Sequence, residues 1–289
     1  MLLQFITNGI ITGLLYSLLA IGFALVYNTT HIFHIAAAGI YVFAAYMFWL
    51  FGSKLGQNIM VAAVVAIVLT MGISLLSEKG IYGPLRKKQA SLNLAMIASI
   101  GLMTIIVNTI AMTFGNETKV IDSTILPTIS LGKLIVSTPQ LYQLIISVAT
   151  IAMFLAFLNK TKFGLRLQAL SADDTLFETL GYDKNRTFTF VFLASGLFIG
   201  LASCLTVFDI GMDPRMGMTV LINALVAMII GGVGRFETCV FGGISLGVLQ
   251  SLTVYFFSSN WQNAITFALL LIFLFVRPQG IAGYKQRLL

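Results

Sequence analysis

Long apolar runs separated by short polar connectors make up most of this chain. Nine stretches carry no charged residue, at about 5–27, 34–51, 58–77, 91–114, 140–158, 187–208, 218–233, 238–257 and 261–276. An α-helix needs roughly 20 apolar residues to cross a hydrocarbon core about 30 Å thick, and these stretches come close to that length. The seventh and ninth are the shortest and read as tilted, broken or incomplete crossings. The expected fold is therefore all-α: a polytopic transmembrane helical bundle of eight to nine spans, forming a single transmembrane domain over residues 1–289. A membrane barrel would need alternating apolar and polar residues in runs of about ten, and none is visible.

Composition sharpens this picture. The 289 residues are 58% hydrophobic and only 9% charged, against roughly 45–50% and about 25% in a soluble domain. There is too little polar sequence to coat a water-facing surface, while lipid penalises charge. The N-terminal Met-Leu-Leu-Gln-Phe has no basic region ahead of it, so it reads as a retained first span and not a cleaved signal.

The formal charge of +7 raises the question of nucleic acid. No basic amphipathic helix or aromatic-interleaved basic patch occurs, so no nucleic-acid partner is expected. A topological bias explains the surplus instead. Thirteen basic residues fall in one set of connectors: Lys79, Arg86, Lys87, Lys88, Lys160, Lys162, Arg166, Lys184, Arg186, Arg235, Arg277, Lys285 and Arg287. Only four fall in the other set, Lys54, Lys119, Lys133 and Arg215. By the positive-inside rule, the 78–90, 159–186 and 234–237 connectors and the C-terminus are expected in the cytoplasm.

Candidate chemistry is sparse. No phosphate-binding G-x-x-x-x-G-K-[ST] motif occurs, so no ATP site is expected on this chain. Cys204 and Cys239 lack metal spacing and read as free buried thiols; no metal site and no resident cofactor is expected. No carboxylate pair falls inside a span, which argues against ion-coupled transport. Small-xxx-small pairs at Gly9/Gly13, Gly196/Gly200 and Gly243/Gly247 read as helix-packing contacts within the chain.

The longest basic connector, 159–186, carries helix punctuation. Ser171 and Asp174 form a Ser-x-x-Asp resembling a capping box, and Asp173 and Asp174 would sit favourably at a helix N-terminus. Leu176, Phe177 and Leu180 make an apolar stripe, and Gly181 is a stop signal. A short amphipathic helix at about 172–180 is expected, with an exposed Leu/Phe face. That face either folds onto the chain's own helix ends or the lipid interface, or docks a cytoplasmic partner in the helix-in-groove manner. Asn28, His31 and His34 lie between the first two spans. They either cap the two helix ends or line a substrate pathway, with a broken helix offering its N-terminus to a carboxylate. Asp209, Asp213 and Arg215 in an outer connector are either solvated loop or a contact for a binding protein.

Several segments together carry a family resemblance. Thr161-Lys-Phe-Gly164, Gln168-Ala-Leu-Ser171 and Leu180-Gly-Tyr-Asp-Lys-Asn-Arg186 resemble the cytoplasmic loop of ABC-importer permeases of the branched-chain amino acid type, in the smaller of that system's two permease subunits. In the same order follow Leu225 to Gly234, Gly242 to Gly247 and the tail from Phe267 to Gly280, while Glu78 to Arg86 also looks like the family's. The resemblance spans nearly the whole chain. It implies a multi-pass protein of the bacterial inner membrane. Its partners would be a second permease subunit (the same chain or another), two cytoplasmic ATPases that bind the ATP, an extracytoplasmic binding protein and membrane lipid. The helix near 172–180, with Ser171, Asp174, Leu176, Phe177, Leu180 and Gly181, would be its coupling helix. Where the family carries Asn-Phe-Ala-His-Gly-Glu, this chain has His34-Ile-Ala-Ala-Ala-Gly39, so the family's His and Glu positions are Ala37 and Gly39. Glu237-Thr238 replaces the family's usual Pro-Gly. Branched-chain amino acids are the expected solute, with urea, amides or sugars as alternatives. A stand-alone channel, a secondary transporter or a membrane scaffold are the rival classes.

Overall fold

The computed structural model describes residues 1–121, 128–131, 134–277 and 280–281. Lys133, Pro278, Gln279, Lys285 and Arg287 lie outside the described residues, as does the side chain of Asp174. The elements run α1 (Leu2–Thr30), α2 (Ala36–Trp49, continued by a π-turn Leu50–Lys54), α3 (Ile59–Ser77, continued by a π-turn Glu78–Tyr82), α4 (Gly83–Lys87) and α5 (Leu92–Phe114). Next come strands β1 (Thr128–Leu131) and β2 (Leu134–Ser137), then α6 (Thr138–Lys160), α7 (Lys162–Ala172), α8 (Asp174–Thr179) and α9 (Lys184–Ile210). The chain continues through α10 (Met216–Gly231), α11 (Thr238–Phe256), a 3-10 turn (Ser259–Trp261) and α12 (Gln262–Val276).

Among the described residues, eight helices are long and apolar enough to cross a membrane. They correspond to the predicted spans except the seventh. That segment is α10, whose 16 residues reach about 24 Å, short of a full crossing. Polar residues mark the helix starts: Asn58 accepts from the Met60 N–H at 2.9 Å, and Asp183 from the Asn185 N–H at 2.9 Å. Ser137 and Gln140 form a reciprocal capping box that opens α6. Gly115 and Gly211, at φ 84° and 79°, close α5 and α9.

The β hairpin is an element the span pattern does not show. Its strands pair antiparallel with Thr128 opposite Ser137 and Leu131 opposite Leu134. Ile135 then points its backbone groups away from β1. Gln4 of α1 satisfies both, donating to the Ile135 carbonyl at 2.7 Å and accepting from its N–H at 3.0 Å.

The chain forms two compact units. One comprises Met1–Ala24, Thr124–Gly164 and Ile222–Leu289; the other comprises Leu25–Ser123 and Leu165–Leu221. In the first, α1 and α11 meet through glycines. A Cβ on Gly13 would lie 2.7 Å from the Ile244 Cα, and one on Gly247 would lie 2.5 Å from the Gly13 Cα. Ser17 and Gly243 extend the seam, and the Ser17 hydroxyl donates across it to the Val240 carbonyl at 3.0 Å. In the second unit α2 presents no exposed residue, as an all-round apolar helix requires. Around it α3, α5 and α9 close a core that includes Val42, Tyr46, Ala62, Ala66, Ile110 and Val207. Gly196 and Gly200 bring α9 onto α3, against Thr70, Met71 and Ser74.

Candidate functional site

The 159–186 connector folds as two helices, where one near 172–180 is expected. Thr161 starts the first: its hydroxyl accepts from the Gly164 N–H at 2.9 Å. Gly164 is needed because any Cβ there would strike the Leu158 backbone at 2.5 Å. Ser171 lies in the last turn of α7 and so does not cap the second helix. Asp173 caps it instead. One of its carboxylate oxygens accepts from the N–H groups of Thr175 and Leu176, both at 2.9 Å, and from the Thr175 hydroxyl at 2.7 Å. The backbone extends at Asp173 (φ −154°, ψ 110°), which breaks the helix and lets a carboxylate turn back onto the free amides. The Leu176 N–H bond, and then the Thr175 hydroxyl, hold the Asp173 carboxyl below its ordinary range.

The expected Leu/Phe face also divides. Leu176 and Leu180, one turn apart, are 56% and 62% exposed, whereas Phe177 is 1% exposed. Successive helix positions differ by about 100°, so Phe177 turns inward while its two neighbours turn out. It packs with Leu170 of α7 and Phe188 of α9, and its ring lies 5.2 Å from that of Tyr182. Gly181 ends α8 at φ 79°, with its N–H donating to the Glu178 carbonyl at 2.8 Å.

Asn28, His31 and His34 do not form one constellation. His31 is exposed and terminates α1 in a left-handed conformation (φ 55°), its N–H donating to the Tyr27 carbonyl at 2.8 Å. Asn28 is buried within α1, and His34 is fully buried beyond it. His34 Nδ1 shares a 2.9 Å hydrogen bond with the Tyr82 hydroxyl, which in turn bonds the Ser99 hydroxyl at 2.8 Å. Ser99 also accepts from the Ala36 N–H at 2.8 Å, so the network fastens the start of α2. His34 Nε2 meets no hydrogen-bond partner among the described residues, while the ring packs edge-on against Tyr82 and Phe192. Below Tyr82, buried Glu78 pairs with Arg86, and the Arg86 guanidinium lies 4.1 Å from the centre of the Phe188 ring. Ala37, Ala38 and Gly39 are packing surface: a Cβ on Gly39 would sit 3.2 Å from the Met103 Cα of α5, and one on Gly217 2.6 Å from the Ala38 carbonyl.

A second polar network lies in the other unit and escaped the sequence reading. Gln250 of α11 accepts from the Tyr16 hydroxyl at 2.9 Å, and its amide donates to Asn223 at 3.1 Å and to Thr266 at 2.6 Å. In sequence its members are polar residues among others in four separate apolar runs, with nothing local to mark them as partners. Among the described residues no His, Cys, Asp and Glu cluster fit for a metal occurs.

Residues 5–274 match the family described as the branched-chain amino acid transport system permease component. The chain belongs to that family. The permease protein BraD of Pseudomonas aeruginosa, from a high-affinity branched-chain amino acid transport system, is 25% identical over 98% of this chain and 96% of its own length. LivH of Salmonella typhimurium is 26% identical with the same coverage. The probable permease LivH of Methanocaldococcus jannaschii is 28% identical over 96% of this chain and 91% of its own. The solved structure of PsaBC from Streptococcus pneumoniae, in complex with Fab, shares the fold at a TM-score of 0.52 and 14% identity, covering 96% of this chain and 93% of that one. As a branched-chain amino acid permease component, the chain is a membrane transport subunit and not an enzyme. Permeases of this ABC-importer family work with another permease, with ATPases and with a binding protein.

Proposed function

We propose that this chain forms part of the membrane pathway of an ATP-driven importer for branched-chain amino acids, with α8 as the helix on which a separate ATPase docks. The observation that carries the reading is α8 itself. It is capped by Asp173, stopped by Gly181 and bolted down by Phe177, and it still turns Leu176 and Leu180 outward. A helix held in place with an apolar pair left uncovered suits insertion into a groove on another protein. The thirteen basic residues of its connector set favour the cytoplasmic side for α8 and for the C-terminus. The family relatives named for branched-chain amino acids supply the solute class.

The test uses the permease reconstituted with its ATPase, companion permease and binding protein. Uptake of labelled leucine should exceed that of urea or a sugar; the reverse preference would overturn the solute class. Replacing Leu176 and Leu180 together with Asp should abolish ATPase co-purification while leaving membrane insertion intact. Undiminished co-purification would overturn the docking role.

A further inference from the structure

Behind α8 the side chains of two helices meet in a repeated contact. Tyr82 and Arg86 stand one turn apart where α3 runs through its π-turn into α4, and Phe188 and Phe192 stand one turn apart on α9. They pair rung by rung. The Arg86 guanidinium lies 4.1 Å from the Phe188 ring centre, and the Tyr82 ring centre lies 5.4 Å from that of Phe192. Each end of this two-rung ladder is tied to something else. At the α8 end, Phe188 is the surface on which Phe177 and Leu170 pack. At the other end, Tyr82 holds His34 and Ser99, and Ser99 holds the first amide of α2. Glu78, with its side chain 5% exposed, locks the register by pairing with Arg86 across the π-turn. π-turns inside helices recur where function needs a local adjustment of register.

The rungs are side-chain contacts, they are joined to each other along the two helices, and the series ends on the backbone N–H of Ala36, all within one compact unit. We infer that Arg86 and Tyr82 are positioning residues that carry displacement of α8 through the Phe188–Phe192 ladder to the start of α2, and so link the ATPase stroke to the membrane helices. This rests on α8 being the ATPase-docking helix. The contacts supply the physical connection; coupling itself is a property that only an energetic measurement displays. Arg86 suits the task because its planar cation both stacks on an aromatic face and pairs with a carboxylate, which a lysine does less well.

The experiment is the number of leucine molecules imported per ATP hydrolysed by the reconstituted complex. The main variant is the double change Glu78→Gln with Arg86→Gln, which removes both charges together and strands neither. ATPase co-purification should match the unaltered protein, while the transport-to-ATP ratio falls by about tenfold, within the usual range of coupling factors between sites. Phe188→Leu keeps the ion pair and removes only the ring; it should lower the same ratio, and it supplies the answer if the double variant does not reach the membrane. An unchanged ratio with the ATPase still bound would overturn the inference. Loss of ATPase binding in these variants would overturn it as well, by placing the ladder in the docking surface and not behind it. Failure of the proposed function reads differently: there, the unaltered complex neither binds an ATPase nor imports leucine.

Discussion

The packing glycines show how far a single residue's environment decides its tolerance. Gly72 and Gly247 both lie inside apolar helices, and nothing in the sequence separates them. The structure does: apart from its own helix backbone, no described atom lies within 4 Å of a Cβ on Gly72, whereas one on Gly247 runs into the backbone of α1. Alanine has the better helix propensity by about 1 kcal/mol, so Gly72→Ala should raise the thermal midpoint of the detergent-solubilised protein slightly. Gly247→Ala should lower it, because overpacking costs about 1–3 kcal/mol. A matching rise in both would refute the close seam between α1 and α11. Residues that act through distant partners are equally opaque to a sequence reading. His34 stands out as an intramembrane histidine, but its partner Tyr82 is 48 positions away, and Tyr16 and Gln250 are separated by 234. Local pattern holds no record of such pairings.

At the scale of elements, the spans are legible because length and hydrophobicity follow from the bilayer itself. Caps and faces are less so. Ser171 and Asp173 are both good N-caps, and the choice between them depends on where the chain bends. Leu176, Phe177 and Leu180 form one apolar group in sequence, but which of them turns inward is set by Leu170 and Phe188. The Asp173 cap has a measurable signature. Because its carboxyl titrates below the ordinary range, its contribution to α8 is fully present above the unfolded value of about 3.9 and lost as pH falls through the lower folded value. The protection of the 173–180 amides against hydrogen exchange, taken relative to the unstructured chain at the same pH, should therefore fall on acidification below about pH 4. Asp173→Asn, which retains an acceptor, should keep α8 formed and flatten that dependence, while Asp173→Ala should loosen α8 at every pH. Equal protection in the alanine variant would remove Asp173 from its capping role.

For the whole molecule, the sequence property that reaches furthest is the separation of basic residues, thirteen in one set of connectors against four in the other. It makes sidedness directly testable. Cys204 and Cys239 are both buried, so native thiols give little background to a labelling experiment. Lys54 and Lys88 are exposed and belong to opposite sets. On intact cells a membrane-impermeant maleimide should label Lys54→Cys and spare Lys88→Cys, with both labelled once the membrane is opened; the reverse pattern would invert the topology. An expected orientation can be written from sequence because it rests on summed charge. The ladder from Phe188 to Tyr82 cannot, because it depends on helix register fixed by packing.

The inward turn of Phe177 bears on how such machines keep their parts matched. A cell that houses several importers of one family has to prevent each gate from accepting another's motor. With Phe177 committed to the interior, the docking role proposed for α8 leaves Leu176 and Leu180 as the apolar identity it would show a motor. New pairings could then arise by changes at two surface positions, leaving the gate's own folding untouched.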